Sequence, residues 1–189
     1  MPIRVLGVDP GLTRCGVGVI SVGTSRQVSL VSVDTIRTDA SSELVDRIGL
    51  IGTAIEQLIL TSKPDAIAIE RVFSQQNLRS VMGVAQISGV VLMLAHKFSI
   101  PVFLHTPSEV KAAVTGSGRA NKDQVGKMVA NILGLDEIPK PADAADSLAI
   151  AICHAWKSAG GTVMGSTSMT KAQKAWQAAE QQASSSKRR

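Results

Sequence analysis

The sequence predicts a mixed α/β domain, a five-stranded sheet with helices on both faces. Three short apolar runs separated by turn residues fill the first forty positions, and helical spacing then alternates with two further apolar runs. At 189 residues and 44% apolar content, the chain can bury a core on both sides of such a sheet.

Each element has its own signal. Ile3 to Val8 is an apolar run that stops at Asp9-Pro10-Gly11, a strand followed by a turn. Gly16 to Ile20 and Val28 to Ile36 are the next strands, and their short links predict an antiparallel meander. Glu43 to Leu60 sets Leu44, Ile48, Ile51, Ile55 and Leu58 at helical spacing, and Pro64-Asp65 ends that helix. Ala66 to Ile69 is a fully apolar strand that ends at Glu70. Leu78 to Phe98 is a long helix, Val102 to Leu104 a short strand and Pro107 to Val114 a short helix. Gly116-Ser117-Gly118 is a loop before helices at Lys122 to Leu133 and Ala142 to Trp156. The domain is expected to span residues 1–157. The Gly, Ser, Ala and Gln-rich residues 158–189 are expected to form a disordered basic tail.

Charge is distributed unevenly. Residues 157–189 carry six Lys and Arg against one Glu, and residues 1–156 are neutral. Within that neutral body, residues 71–127 have a net charge of +5 between two acidic flanks. A basic middle beside acidic ends suits a protein that grips phosphates near a group of carboxylates. No apolar run reaches membrane-span length, the N-terminus has no secretory-signal pattern, and Cys15 and Cys153 match neither a metal spacing nor a disulfide framework. A reducing, cytoplasmic setting is the expectation.

Four carboxylates stand out by position. Asp9 ends the first strand and Glu70 the fourth. Asp143 and Asp146 fall in the first turn of the last helix, three apart and so on one face. Singly, each is an ordinary turn, strand-end or helix-start residue. Brought together they would repel one another, and such a set is stable chiefly as a site for hard cations, which take oxygen ligands. The small Ala142, Ala144 and Ala145 allow close approach there. Lys111, Arg119 and Lys122 around the glycine loop are candidate phosphate contacts, with Arg79 a further cation of the basic middle. Phe73, three residues after Glu70, is a candidate for stacking on an unpaired base. His96, His105 and His154 fall in no motif and are expected to be structural or surface residues. On the long helix, Val81, Val84, Ile87, Val91 and Leu92 form the apolar pattern, while Gly83, Ala85 and Gly89 thin its surface for a second helix.

These blocks carry a family resemblance. Gly7-Val8-Asp9-Pro10-Gly11 with Gly16 and Gly18, then Ala68-Ile69-Glu70-Arg71-Val72-Phe73 with Asn77, then Pro141-Ala142-Asp143-Ala144-Ala145-Asp146-Ser147-Leu148-Ala149-Ile150 resemble the three motifs of the RuvC family of Holliday junction resolvases. Val110-Lys111 and Gly116 to Lys122 resemble its basic loop, and the likeness runs in order from about residue 3 to residue 156. The resemblance implies a ribonuclease H-like fold and a homodimer that nicks two opposing strands of a four-way DNA junction, leaving 5′-phosphate and 3′-hydroxyl ends, in recombination and DNA repair. It implies Asp9, Glu70, Asp143 and Asp146 as catalytic carboxylates and metal ligands. The expected cofactor is Mg²⁺, two per subunit, with Mn²⁺ as a substitute. Asp9 would bridge the pair, Glu70 would serve one ion, and Asp143 and Asp146 the other. It also implies the RuvA–RuvB branch migration complex as a partner, and no membrane. An actin-like ATPase, a ribosomal-RNA-processing nuclease of the same fold and an inactive binding module are the alternatives. The first needs a longer chain, the second lacks the Phe73 context and Asp143-Ala-Ala-Asp146 together, and the third conflicts with four intact acidic positions.

Overall fold

A computed structural model describes residues 2–71 and 78–159 of the chain. Strands β1 (Ile3–Asp9), β2 (Arg14–Val22) and β3 (Val28–Arg37) lead to helix α1 (Leu44–Ser62), strand β4 (Ala66–Glu70), helix α2 (Leu78–Lys97) and strand β5 (Val102–His105). Helices α3 (Pro107–Thr115), α4 (Lys122–Leu133) and α5 (Ala142–Ala159) follow. The sheet order is β3-β2-β1-β4-β5. The first three strands pair antiparallel, as the short links between them predict, and β4 and β5 join parallel to β1. The fold is the expected α/β arrangement with helices on both faces. Among the described residues, no helix is long and apolar enough to cross a membrane.

Strand alternation divides the core in two. Leu6, Val8, Cys15, Val17, Ile67 and Ile69 face α1 and α2, and meet Ile51, Ile55, Ile87 and Val91. Val5, Ile20 and Ala68 face the other way, against Val110, Val129, Leu148 and Ile152 of α3, α4 and α5. The same alternation assigns Gly7, Asp9, Gly16, Gly18 and Glu70 to the α5 side. The cysteines lie in opposite cores, both reduced and buried, in line with the expected absence of a disulfide.

Helix α5 is buried on all sides from Ser147 to Ala155, which fits its nearly unbroken apolar sequence. It lies against the backbone of β1 and β2. A Cβ placed on Gly7 would come within 3.0 Å of the Ser147 carbonyl, one on Gly16 within 3.0 Å of the Asp143 carbonyl, and one on Gly18 within 3.0 Å of the Leu148 side chain. At the far end, Trp156 Nε1 donates to the Arg26 carbonyl at 3.0 Å. Thr106 with Glu109 and Asn121 with Gln124 form capping boxes that start α3 and α4.

Two residue placements differ from the sequence expectation in ways that matter. Helix α5 begins at Ala142, so only Asp143 lies in its first turn, and Asp146 falls just beyond it on the same face. Leu92, expected in the apolar heart of α2, is 46% exposed, and the buried side is carried by Ile87, Val91, Leu94 and Ala95. The tail is expected from residue 158, but α5 continues to Ala159; residues 160–189 lie outside the described residues.

The close seating of α5 has a measurable consequence. Gly7→Ala drives a methyl group into helix backbone and is expected to destabilise the protein by roughly 3 kcal/mol. Gly49→Ala on α1, where an added Cβ meets nothing within 4 Å, is expected to stabilise by about 1 kcal/mol. Urea unfolding of the two variants checks this, and equal midpoints would contradict it.

Candidate active site

Three elements bring the four carboxylates to one end of the sheet. β1 and β4 are parallel neighbours whose last paired residues are Val8 and Ile69. Asp9 and Glu70 come next on each strand, side by side and facing α5. The seating of α5 on Gly7 and Gly16 then sets the helix start above them, with Asp143 over β2. All four carboxylates are partly buried.

Their mutual repulsion shows in Asp9. Burial, then the charges of Glu70, Asp146 and Asp143, push its carboxyl up to about 7, opposed only by Lys122. Glu70 is also raised, by burial and by Asp146, with Lys122 and Lys111 pulling it down. Two cations sit against the outer carboxylates. Lys122 Nζ donates to Asp146 Oδ2 at 2.9 Å, and Arg14 Nε lies 3.2 Å from Asp143 Oδ2. That bond to Asp146 is the largest influence raising Lys122. Both cationic side chains are largely exposed, at 70% and 60%, so each pair contributes little net energy and is easily exchanged. Among the described residues, no three His, Cys, Asp or Glu side chains form a ready-made metal cage.

The predicted basic residues divide. Lys122 at the start of α4 and Lys111 on α3 both act electrostatically on the carboxylates. Arg119 is exposed in the loop between these helices, where its backbone N–H donates to Ser117 Oγ at 3.4 Å. Arg79 belongs to the first turn of α2, but its side chain lies outside the described residues, as does the whole of Phe73. His96 is exposed. His105 and His154 are buried, and His154 stacks on Phe103 with ring centroids 4.2 Å apart. Burial lowers both, His154 to about 4, so they are neutral core residues. Burial raises the Cys15 thiol to about 12, which leaves it inert beside the carboxylates.

Sequence reasoning passed over Arg14 and Arg47. Arg47, on α1, donates from Nε to Thr38 Oγ1 and from Nη2 to Thr13 Oγ1, both at 2.9 Å. Thr38 in turn donates from its backbone N–H to the Thr13 carbonyl and from Oγ1 to the Leu12 carbonyl. The turn after Asp9 is therefore tied to β3 and α1. Only the proximity of Arg14 to motif glycines could have signalled this in the sequence.

The sequence profile described as "Crossover junction endodeoxyribonuclease RuvC" matches residues 5–154. A protein of that name from Paenarthrobacter aurescens (strain TC1) is 55% identical over 185 residues, covering 97% of this chain and 98% of the relative. Another, from Saccharopolyspora erythraea, is 57% identical and covers 82% of this chain and 78% of its own. Among solved structures, T. thermophilus RuvC in complex with Holliday junction substrate superposes with a TM-score of 0.80 at 34% identity, covering 85% of this chain and 97% of that one. The yeast mitochondrial Holliday junction resolvase shares the fold, with a TM-score of 0.60 at 15% identity over 83% of this chain and 81% of its own. The carboxylates at the ends of β1 and β4, the helix seated above them and these likenesses agree: the chain belongs to the RuvC family of crossover junction endodeoxyribonucleases.

Proposed function

We propose that this chain resolves four-way DNA junctions with Asp9, Glu70, Asp143 and Asp146 as catalytic carboxylates around two divalent cations, Mg²⁺ foremost, with Mn²⁺ able to replace it. One observation carries the reading: β1, β4 and α5 converge so tightly that Asp9 is pushed up to about 7. Oxygen-only donors with excess negative charge fit a hard cation. Asp9, central in the set, would be shared between ions, with Glu70 on one side and Asp143 and Asp146 on the other. Bound cations would supply an attacking water at neutral pH and charge relief on the leaving oxygen. In the hydrolysis, water oxygen bonds to phosphorus, the bond from phosphorus to the 3′ oxygen breaks, and that oxygen takes a proton. The products are a 5′-phosphate and a 3′-hydroxyl. Lys122 and Lys111 hold phosphate oxygens over the carboxylates, with Arg119 reaching phosphates from the loop. Phe73 and Arg79 are further DNA contacts on this proposal, Phe73 by stacking at the crossover.

Two opposing cuts call for two sites, and α2 offers the means. Met82, Ala85, Gly89, Leu92 and Met93 fall on one face of that helix. Met82 and Met93 are 59% and 55% exposed, and a Cβ on Gly89 would meet nothing within 4 Å. An exposed apolar stripe with a thin centre suits the same helix of a second copy about a two-fold axis. Within a cytoplasmic recombination and repair system, the RuvA–RuvB complex would deliver the junction. Residues 1–157 would act as the nuclease domain and residues 158–189 as a basic extension that attracts duplex DNA.

Three outcomes test this. Asp146→Asn, or Asp9→Asn, should abolish cutting of a synthetic four-way junction in Mg²⁺ while binding holds or tightens, because repulsion toward phosphate falls. Wild-type cutting rates would sink the site. Asp9 also links folding to pH. Its raised value means the folded chain holds a proton between about pH 4 and 7 that the unfolded chain has lost, so stability falls as pH rises through 7. Asp9→Asn should therefore melt higher than wild type at pH 8 in EDTA, by at most roughly 4 kcal/mol, with no difference near pH 4. Mg²⁺ should raise the wild-type melting temperature and leave that of the Asn variant nearly fixed. Finally, Met93→Glu should sediment as a monomer and lose paired cutting. A dimer that survives it would place the interface elsewhere.

A further inference from the structure

Three arginines meet at the end of the sheet beside Asp143, with Asp39 also close enough to Arg47 to feel its charge. Arg14 on β2 and Arg37 on β3 are directly paired across the strands. Like charges placed opposite one another in a sheet destabilise it. Arg47 comes to the same corner from α1 through Thr13 and Thr38. Among the described residues, the ion pairs give these three arginines one acidic partner, Asp143 on Arg14. Asp143 is itself one of the four carboxylates assigned to the cations. A cavity of about 410 Å³ opens at this corner, lined by Gly11, Leu12, Arg14, Arg47, Gly83 and Asp143 among others. Asp143, Arg14 and Arg47 all line it, with Arg14 already against the Asp143 carboxylate.

Arg47 is fixed before any ligand arrives. Two threonine hydroxyls take two of its five N–H groups, and the others have no hydrogen-bond partner among the described residues. A planar guanidinium held in this way is suited to a tetrahedral oxyanion, which it meets with two parallel hydrogen bonds. Arg14 is 60% exposed, and a single ion pair, to the largely buried Asp143, holds it.

We propose that Arg14 and Arg47, with Arg37 flanking, form a phosphate subsite that holds a DNA backbone phosphodiester next to the scissile one. The proposal rests on the junction-cutting function given above. With Asp143 engaged by a cation, Arg14 would lose that partner and could turn to the phosphate. The carboxylates are then flanked on both sides, by Lys122 at Asp146 and by Arg14 at Asp143. The cut strand runs from the arginine corner, across Asp9 and Glu70, to the α3–α4 loop.

The test uses the full chain carrying Asp146→Asn, in Mg²⁺, with a synthetic four-way junction. Junction affinity is measured against salt for this protein and for the same protein with Arg14→Gln, Arg14→Lys or Arg47→Gln. The Gln variants are expected to flatten the logarithmic salt dependence by about one unit per arginine, and Arg14→Lys to keep it. A single neutral methylphosphonate is then walked along the cut strand. One position near the scissile phosphate should weaken the parent protein and have no further effect on Arg14→Gln. Unchanged slopes in both Gln variants, or methylphosphonate losses that add to the Arg14→Gln loss at every position, would overturn the subsite. Arg14→Gln alone decides the matter if Arg47→Gln fails to fold, because Arg14 supports no core contact. Failure of the Asp146→Asn parent to bind junction at all, or its continued cutting, would instead strike the functional reading beneath.

Discussion

The constraint on which this end of the sheet depends is the absence of side chains at Gly7 and Gly16, where α5 crosses β1 and β2. With hydrogen at Gly7 and Gly16, helix backbone rests almost on strand backbone. Backbone-to-backbone packing has few soft torsions, so the rise of α5 above β1 is set rigidly. Asp143 and Asp146 inherit that placement, and Asp9 and Glu70 inherit theirs from the register of two parallel strands. A site whose ligands must be held to fractions of an ångström gains from rigid elements of this kind. The burial of α5 from Ser147 onward anchors the part of the helix that carries no chemistry, and so steadies the part that does.

This rigidity forces a charge problem that the rest of the site manages. The carboxylates lie close together, so burial and mutual repulsion push the Asp9 carboxyl up to about 7, and Lys122 and Arg14 pair with the outer two. Both covering cations are exposed and held by weak pairs. On the proposed function, these exchangeable cations would give way to divalent ions or to a phosphate's own contacts. Four acidic positions converge at β1, β4 and α5, and Lys111 and Lys122 approach them on α3 and α4.

Much of this was legible in the sequence. Apolar runs in β1 and β4 and helical spacing in α1 mark the elements, and Asp9 and Glu70 are visible because each ends an apolar run. The pair Asp143 and Asp146 reads correctly as one helix face even though only Asp143 lies in the first turn. What stayed hidden were contacts between distant segments. Nothing near Arg14 in the sequence points to Asp143, and Arg47 resembles any solvated helix cation until Thr13 and Thr38 are placed beside it. The glycines read as motif marks, while their physical role depends on the register that sets Gly16 beneath Asp143. Leu92 failed for a related reason: a helix with two apolar sides does not reveal from spacing alone which one meets its own sheet.

That second apolar side bears on the path of the DNA. Gly83 and Val84 of α2 line the same cavity as Arg14, Arg47 and Asp143, so α2 forms a wall of the arginine corner. If α2 also carries the two-fold axis, the corner lies between each catalytic site and the partner subunit. A phosphate held there would belong to the stretch of strand nearest the crossover, where strands change partners. Lys122 and the α3–α4 loop would then hold the outgoing arm. On this arrangement the arginine corner would sense the junction centre and the lysines the duplex beyond it. Selectivity for branched DNA over plain duplex would thus reside chiefly in α1, α2 and the turn after Asp9. The basic loop would supply the strength of binding common to both.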